Sequence, residues 1–132
     1  EAKGQTKRGE RLVMHYFDSY AIIEMGKGNR NYERFQSETI YTTVFNLAEF
    51  FYSALSEHGE GTARAKLAEL NADKIEIHDE DIAQACKLRL ENKKKNLSYA
   101  DCMGYVVAKR NSLLFLTGDR QFEGMENVEF VK

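Results

Sequence analysis

The order of apolar and polar positions along the chain predicts short strands that alternate with helices. Residues 12–17 and 112–117 form continuous apolar runs, which are typical of buried parallel strands. For residues 12–17, periodicity alone also leaves a helix open. The β-branched and aromatic stretch 40–43 indicates a further strand, and so do the shorter segments 74–77 and 128–131.

Helical periodicity fills the intervals between these strands. Helices are predicted over residues 19–25, 62–70, 79–95 and 99–110, and a further one opens at Asn46 and ends at Gly59 and Gly61. The stripe predicted to be buried in the helix 79–95 consists of Ile82, Ala85, Cys86 and Leu90. Residues 31–38 form a short helix or a loop, and residues 121–125 form a turn or a single helical turn. This alternation indicates βαβ units, and therefore an α/β fold whose parallel sheet is covered on both faces.

Two helix starts carry a polar residue that is followed three positions later by an acid. Asn46 precedes Glu49 in this way, and Ser98 precedes Asp101. The spacing is typical of a capping box, in which the first side chain and the acid each accept a hydrogen bond from the backbone of the other residue. We therefore expect both acids in the first turn of their helices.

Composition indicates an ordinary globular domain and excludes several other classes. The chain has 132 residues, of which 42% are hydrophobic and 30% are charged, so we expect one ordered domain with its own core. We place this domain at residues 12–132 and treat the polar residues 1–11 as an N-terminal arm or a tag remnant. No apolar run reaches the ~18 residues of a membrane span, and no signal peptide is visible. Together with two predicted free thiols, Cys86 and Cys102, this favours a cytoplasmic protein.

The net charge of −2 gives no global signature of nucleic-acid binding. A site built from carboxylates would itself lower the total, however, and basic residues cluster locally in the lysine run 93–95. That run fits contact with RNA phosphates. It fits equally well a solvated helix end whose cations complement the helix dipole.

Four acids are candidates for a site at the edge of the predicted sheet. Ligands of open parallel sheets bind outside the carboxyl ends of the strands; Asp18 directly follows the first apolar strand, and Asp119 follows the second after Gly118. Glu49 lies in the first turn of the helix after the predicted strand 40–43, and a helix that packs back onto the sheet begins at the same edge. Asp101 follows a helix, so spacing alone does not place it there.

Carboxylates that converge repel one another and raise each other's pKa unless a cation neutralises them. Mg²⁺ and Mn²⁺ prefer carboxylate and water oxygens, and such ions activate water for phosphoryl displacement. The sequence offers no His or Cys set that favours zinc. Taken singly, each acid also has a structural explanation, as a capping residue for Glu49 and Asp101 or as a turn residue for Asp18 and Asp119.

The segments that carry these acids follow one another in a recognisable order. They are Tyr16-Phe17-Asp18-Ser19-Tyr20, Asn46-Leu47-Ala48-Glu49, Leu97-Ser98-Tyr99-Ala100-Asp101 and Leu116-Thr117-Gly118-Asp119-Arg120-Gln121-Phe122. In this order they resemble the successive motifs of PIN domains, most of all those of the VapC-type toxins of prokaryotic toxin–antitoxin systems. The order and spacing fit from about Val13 to Lys132. Each motif is short, so the specificity comes from all four together.

The resemblance implies a PIN-like three-layer α/β/α fold with a central, mostly parallel sheet, and a ribonuclease that depends on Mg²⁺ or Mn²⁺. It implies that four acids bind the metal and prepare a water for attack on RNA phosphate, namely Asp18, Glu49, Asp101 and Asp119. It also implies that Thr117 supports the site by hydrogen bonding, although Thr117 fits an ordinary strand end as well. Ser19 and Asn46 are weaker supporting candidates, and for Asn46 we favour the N-cap role. Arg120 is a candidate for contact with an RNA phosphate.

The resemblance further implies a small antitoxin whose tail covers the active-site groove, a homodimer, and a role as the toxin of a type II toxin–antitoxin pair. A housekeeping PIN nuclease of RNA processing is an alternative, which a neighbouring antitoxin reading frame would exclude. A non-catalytic RNA- or protein-binding PIN module is another, which an activity assay would exclude. Phosphatases and receiver domains also carry an Asp after the first strand. Here Tyr20 occupies the place of the second phosphatase Asp, and the further acid and Lys of a receiver are not evident.

Overall fold

Seven short strands and five helices make up the fold in a computed structural model that describes the backbone of residues 6–8 and 11–12 and all of residues 13–132. The strands are β1 (Thr6–Arg8), β2 (Arg11–Val13), β3 (His15–Phe17), β4 (Tyr41–Thr42), β5 (Asp73–Lys74), β6 (Leu114–Thr117) and β7 (Val128–Phe130). The helices are α1 (Ser19–Gly26), α2 (Val44–His58), α3 (Glu60–Leu70), α4 (Asp79–Glu91) and α5 (Tyr99–Arg110), with 3₁₀ turns at Arg30–Phe35 and Arg120–Phe122.

Strands β3 to β7 form one parallel sheet in the order β5-β4-β3-β6-β7. The parallel sheet predicted from the sequence is therefore confirmed. The apolar run 12–17 is divided between β3, which lies at the centre of the sheet, and β2, which pairs antiparallel with β1 in a separate hairpin. Most of the predicted arm 1–11 lies outside the described residues, so its boundary stays a prediction. Within the described chain, no helix is long and apolar enough to cross a bilayer.

Alternation along the central strands gives the sheet two buried faces. Tyr16 of β3 and Phe115 of β6 stack on one face with ring centroids 5.6 Å apart, and this face packs against α5 and part of α4. Phe17 and Leu116, the next residues along the same strands, belong to the cluster on the other face, which α1, α2 and the first 3₁₀ turn cover. Two clusters on opposite faces of one sheet confirm the predicted three-layer α/β/α architecture.

The helix after β4 begins three residues earlier than the sequence predicted. Its N-cap is Thr43, with an extended backbone (φ −124°, ψ 169°), so Asn46 lies inside the first turn and Glu49 lies in the second turn. The N-cap role favoured for Asn46 is therefore wrong. Asn46 is fully buried, and its side-chain oxygen accepts a hydrogen bond from the Tyr16 hydroxyl. Gly61, predicted to end a helix, lies within α3, whereas Gly59 does cap α2 with φ of 85°.

The stripe predicted to be buried on α4 is wrong at three of its four positions. Ala85 is buried, but Ile82, Cys86 and Leu90 are exposed. The helix is rotated because Asp81 faces inward, where it is 2% exposed and accepts two hydrogen bonds of 2.8 Å from Arg110 at the end of α5. Burial acts to raise the pKa of Asp81, but the Arg110 hydrogen bonds outweigh it and the net pKa is lowered. This ion pair joins α4 and α5 into an antiparallel hairpin.

A buried histidine at the start of the central strand contacts two acids, one before β4 and one within β7. His15 is 1% exposed; its Nδ1 lies 2.7 Å from Oε1 of Glu38 and its Nε2 lies 2.7 Å from Oε1 of Glu129. Two carboxylates can be satisfied together only if both ring nitrogens donate, which requires the imidazolium form. Burial acts to lower the pKa of His15, but the hydrogen bonds to Glu129 and Glu38 outweigh it and raise the pKa above 6.5.

The free energy of unfolding should therefore fall as pH rises above 6.5, by up to about 1.4 kcal/mol per pH unit until the folded pKa of His15 is reached. Because the pKa of His15 is raised on folding, the folded protein holds a proton above pH 6.5 that the unfolded chain releases. The stabilisation is therefore complete below pH 6.5 and is lost as the pH rises above it. Urea unfolding of the wild type and of His15→Gln across this range measures the effect. A wild-type advantage that stays constant with pH would contradict it.

Candidate active site at the carboxyl edge of the sheet

Asp18 lies at the centre of the carboxyl edge because it is the residue after β3, the middle strand. It is 2% exposed and forms the N-cap of α1. Its Oδ1 accepts a hydrogen bond of 2.9 Å from the Ala21 backbone, and its Oδ2 accepts one of 2.6 Å from the Thr117 hydroxyl. Both oxygens are thus held in place by the protein, which fixes the direction of the carboxylate.

Thr117 connects the two acids that follow the central strands. It is the fully buried last residue of β6, and its hydroxyl donates to Asp18 while accepting a 3.0 Å hydrogen bond from the backbone N–H of Asp119. Asp119 in turn caps the second 3₁₀ turn by accepting from the Gln121 backbone at 3.0 Å. Thr117, predicted to support the site, therefore has a hydroxyl that hydrogen-bonds to both Asp18 and Asp119.

Glu49 joins this edge through a chain of hydrogen bonds that runs from the core to the partly buried Ser19. The Ser19 hydroxyl donates to Oε1 of Glu49, and it accepts a 2.9 Å hydrogen bond from the side-chain amide of Asn46. Asn46 in turn accepts from the hydroxyl of Tyr16. The position of the Glu49 carboxylate is thus set from the core of the domain through Ser19.

Asp101 reaches the same edge because α4 and α5 form a hairpin that brings the chain back to it. Ser98 caps α5 and makes the full predicted capping box: its hydroxyl accepts from the Asp101 N–H at 3.0 Å, and Oδ2 of Asp101 accepts from the Ser98 N–H at 2.8 Å. The cap fixes one oxygen of the carboxylate. Capping and a place in the site are therefore compatible for this residue.

The charges of the neighbouring acids raise the pKa of two of the four carboxyl groups, Asp18 and Asp101. Burial raises the pKa of Asp18 to about 7, and the charges of Asp101 and Asp119 add to this, against the lowering effect of its hydrogen bonds. Burial likewise raises the pKa of Asp101, with contributions from the charges of Asp119 and Glu49. Among the described residues, none of the four forms an ion pair with a Lys, Arg or His. The site therefore concentrates negative charge that the described protein does not neutralise.

This donor set suits a hard, hydrated cation. All the side chains offer oxygen, which Mg²⁺ and Mn²⁺ prefer. Within residues 6–8 and 11–132, no group of three or more Asp, Glu, His or Cys side chains converges tightly enough to enclose a metal ion. A complete cage is not required, since Mg²⁺ keeps several of its waters and is usually held by one or two carboxylates.

Arg120 lies beside the acids but is engaged elsewhere. Its guanidinium is exposed and lies 3.2 Å from Oε1 of Glu123. An exposed ion pair of this kind contributes little to stability, so a phosphate could displace Glu123 at small cost. The predicted phosphate contact stays a prediction.

Three residues that the sequence did not single out for this arrangement shape the site. Tyr16 is buried in the core and supports Asn46, and its pKa is raised by burial, so its hydroxyl stays protonated as a donor. A Cβ at Gly104 would lie 2.9 Å from the Tyr16 ring and 3.0 Å from Oδ1 of Asn46, so the glycine lets α5 approach this pair. Gly118, next to Thr117, has even less space around it. The glycine in the last motif was the one visible signal of such crowding.

Comparisons with known proteins agree with this architecture. The sequence matches the PIN domain family over residues 16–128. No protein of curated function matches the chain. Among solved structures, a toxin–antitoxin complex from Klebsiella pneumoniae is similar, with 21% identity, a TM-score of 0.69, and coverage of 87% of this chain and 95% of that one.

Two further solved structures share the fold. VapC20 of Mycobacterium tuberculosis, described as a toxin that cleaves the sarcin–ricin loop, has 15% identity and a TM-score of 0.68, with 86% of this chain and 97% of that one covered. VapBC2 of Rickettsia felis, solved with a DNA fragment from its own promoter, has 17% identity and a TM-score of 0.70, with 91% and 100% covered. At these identities the likeness shows a shared fold.

Proposed function

Because the chain belongs to the PIN domain family, we propose that it is a divalent-metal-dependent ribonuclease that acts as the toxin of a toxin–antitoxin pair. Nucleases of this family generally use divalent metal ions. The observation that carries the proposal is that four acids from distant segments lie at one edge of the sheet without a cationic partner among the described residues, and that their charges help raise the pKa of Asp18 and of Asp101. A fold tolerates such repulsion when a bound cation offsets it.

In this proposal Asp18, Glu49, Asp101 and Asp119 hold Mg²⁺ or Mn²⁺. When bound, the ion supplies an activated water and charge stabilisation for hydrolysis of an RNA phosphodiester bond. The protein's own part is to direct the carboxylates: Thr117 orients Asp18, and Ser98 orients Asp101 through its cap. Because these partners are fixed by backbone and core, the carboxylates are preorganised before substrate arrives.

Cleavage of RNA with added Mg²⁺ or Mn²⁺, and its loss with EDTA, tests the proposal. Structured and single-stranded RNAs belong in the same assay, since a toxin of this kind can be selective for one loop. Metal-dependent cutting is the expected result. Binding of RNA without cutting, in the presence of either metal, would favour the non-catalytic binding module instead.

The toxin role is supported by the similarity of the fold to proteins solved as toxin–antitoxin complexes. We propose a small antitoxin as a protein partner, and a homodimer as the state of the chain. Exposed apolar side chains on α2 and α3 support a protein interface; they are Val44, Tyr52, Leu55 and Leu67. Light scattering of the purified chain distinguishes dimer from monomer. A housekeeping RNA-processing nuclease remains the alternative, favoured if no antitoxin gene lies beside this one. In either role we place the protein in the cytoplasm, with its RNA substrate.

Replacing Thr117 with Val should lower RNA cleavage by about 10- to 100-fold, the range found when a group that supports metal ligands is removed. Val has the same shape as Thr but neither donates to Asp18 nor accepts from the Asp119 N–H. Thr117→Ser keeps the hydroxyl and is the matched control, expected to retain most of the activity. Steady-state cleavage rates decide, and a Val variant as active as the wild type would show that the hydroxyl does not support the site.

A further inference from the structure

An exposed aromatic ring lies beside the candidate site and is held by an arginine. Tyr99 is the first residue of α5, two positions before Asp101, and 58% of its surface is exposed. The guanidinium carbon of Arg89, in the last turn of α4, lies 4.3 Å from the centre of the ring. Arg89 is itself fixed by a 3.0 Å hydrogen bond from its Nε to the Leu97 carbonyl. One face of the ring is therefore covered by a fixed cation, and the ring is kept in one orientation at the surface.

The segment that connects α4 to α5 adds positive charge to the same rim. It carries the three lysines of the run 93–95, two of them exposed. The Lys95 ammonium donates to the Gln121 carbonyl at 3.0 Å, and the Asn96 N–H donates to the Gln121 side chain at 3.3 Å. These bonds tie the lysine run to the 3₁₀ turn that begins with Arg120, directly after Asp119. The lysine run is thus tied to the turn after Asp119, and Tyr99 shares the first turn of α5 with Asp101.

RNA is a polyanion and is repelled by carboxylates. Cations beside the carboxylates offset this repulsion and so allow a phosphate to reach them. Unpaired RNA bases stack on aromatic side chains and on arginine planes, and sequence-selective RNA recognition relies on such bases. An aromatic ring that packs on a guanidinium presents both kinds of stacking surface, the ring and the arginine plane, at one position. The lysine run, which the sequence left open between phosphate contact and a solvated helix end, ends four residues before Tyr99 and is bonded to the turn that follows Asp119.

We propose that Tyr99, supported by Arg89, is a stacking platform for an unpaired base of the RNA substrate next to the phosphate that is cut. The proposal rests on the proposed ribonuclease function and adds a subsite to it. The substrate it implies is single-stranded or looped RNA with a base free to leave the helix, rather than a fully paired duplex.

The chain contains no tryptophan, so Tyr99→Trp introduces a single fluorescent reporter that keeps an aromatic face. It is made in the Asp101→Asn background to stop cleavage, with Mg²⁺ present. The probe is a single-stranded oligoribonucleotide of roughly eight nucleotides, within the usual site size for such binding. An abasic oligomer of the same length and charge is the ligand control. Ile82→Trp is the reporter control, since Ile82 is 46% exposed at the other end of α4, beside the Asp81–Arg110 pair.

In the Tyr99→Trp protein, we expect saturable quenching of the indole fluorescence by the RNA but not by the abasic oligomer. In the Ile82→Trp protein, we expect the fluorescence to stay unchanged. In the cleavage-competent protein, Tyr99→Ala should raise KM by about tenfold or more, as loss of one base–aromatic stack does. Its kcat should change little, and Tyr99→Phe should restore the wild-type KM. This split between KM and kcat is not expected from a merely structural role.

Binding of the RNA, followed by anisotropy of a labelled strand, separates the two proposals. RNA that binds without quenching the reporter at position 99, or that binds equally to Tyr99→Ala, would overturn the stacking platform and leave the ribonuclease standing. A response of that reporter to a protein partner but not to RNA would overturn it too, in favour of a protein interface. RNA that is neither bound nor cut by the wild type would overturn both.

Discussion

Asp101→Asn should reduce metal-dependent RNA cleavage by at least about 100-fold, the upper end of the loss seen even for groups that only support a metal ligand. The substitution removes a negative charge that we propose as a ligand. It preserves the shape of the side chain and an oxygen that can accept from the Ser98 N–H, so the cap of α5 is kept. The pKa of Asp101 is raised by burial and by Asp119 and Glu49, so losing its charge should leave the metal-free protein at least as stable as the wild type.

Melting temperature supplies a second readout that does not depend on activity. An ion that binds only the folded state stabilises it by mass action, by about 2.7 kcal/mol at a concentration 100 times its Kd. Mg²⁺ or Mn²⁺ should therefore raise the melting temperature of the wild type and raise that of Asp101→Asn much less. Asp79→Asn is the matched control, since Asp79 is also a first-turn acid but is exposed at the start of α4. Full activity in Asp101→Asn, with EDTA still inhibiting, would mean that the metal is held elsewhere.

Gly118→Ala should destabilise the fold by about 3 kcal/mol, at the upper end of the cost of overpacking, and should abolish cleavage. A Cβ at this position would overlap both the ring of Tyr20 and the backbone carbonyl oxygen of Val131. The ring could turn aside, but Val131 is held by a 2.8 Å hydrogen bond from its N–H to the Thr117 carbonyl. The strain would therefore fall on the chain between Thr117 and Asp119, which carries part of the site.

Urea unfolding and cleavage rates measure this pair of effects, and Gly61→Ala provides the control. A Cβ at Gly61, within α3, would meet nothing within 4 Å. Replacing a helical glycine by alanine at such a position should be neutral or stabilising by up to about 1 kcal/mol. Equal stability of the two alanine variants would show that the strand end can relax around Gly118.

The order of strands and helices could be predicted because the central strands are buried on both faces and therefore form continuous apolar runs. Asp18 and Asp119 could be placed for the same reason, since each lies within two residues of the end of such a run. The sequence offered no comparable indication that Asp101 lies at this edge, because Asp101 follows a helix rather than a strand. Its position depends on the hairpin of α4 and α5, which is fixed by contacts between residues far apart in sequence.

The predictions for the buried face of α4 and for the start of α2 were wrong because contacts between residues far apart in sequence decide both. Asp81 faces inward because it pairs with Arg110, which lies 29 residues later. A local pattern treats acids as exposed and therefore predicts the wrong buried face for α4. Thr43 and Asn46 are both polar and both suit a helix start. Only the approach of the Tyr16 hydroxyl, 30 residues before Asn46, buries Asn46 inside the helix. Local periodicity carries no information about such partners. It therefore predicts the presence of a helix more reliably than which face of the helix is buried or at which residue the helix begins.

The hydrogen bond between Asp18 and Thr117 spans 99 residues of sequence, and this affects when the protein can act during its own synthesis. A nascent chain carries no joined site until β6 has left the ribosome and paired with β3, which is a late, non-local step. For the ribonuclease proposed above, translation products that stop before β6 would lack the joined site and would be inactive. The proposed activity would therefore begin only after β6 has paired with β3, and a partner that binds the folded site would be needed only from then on.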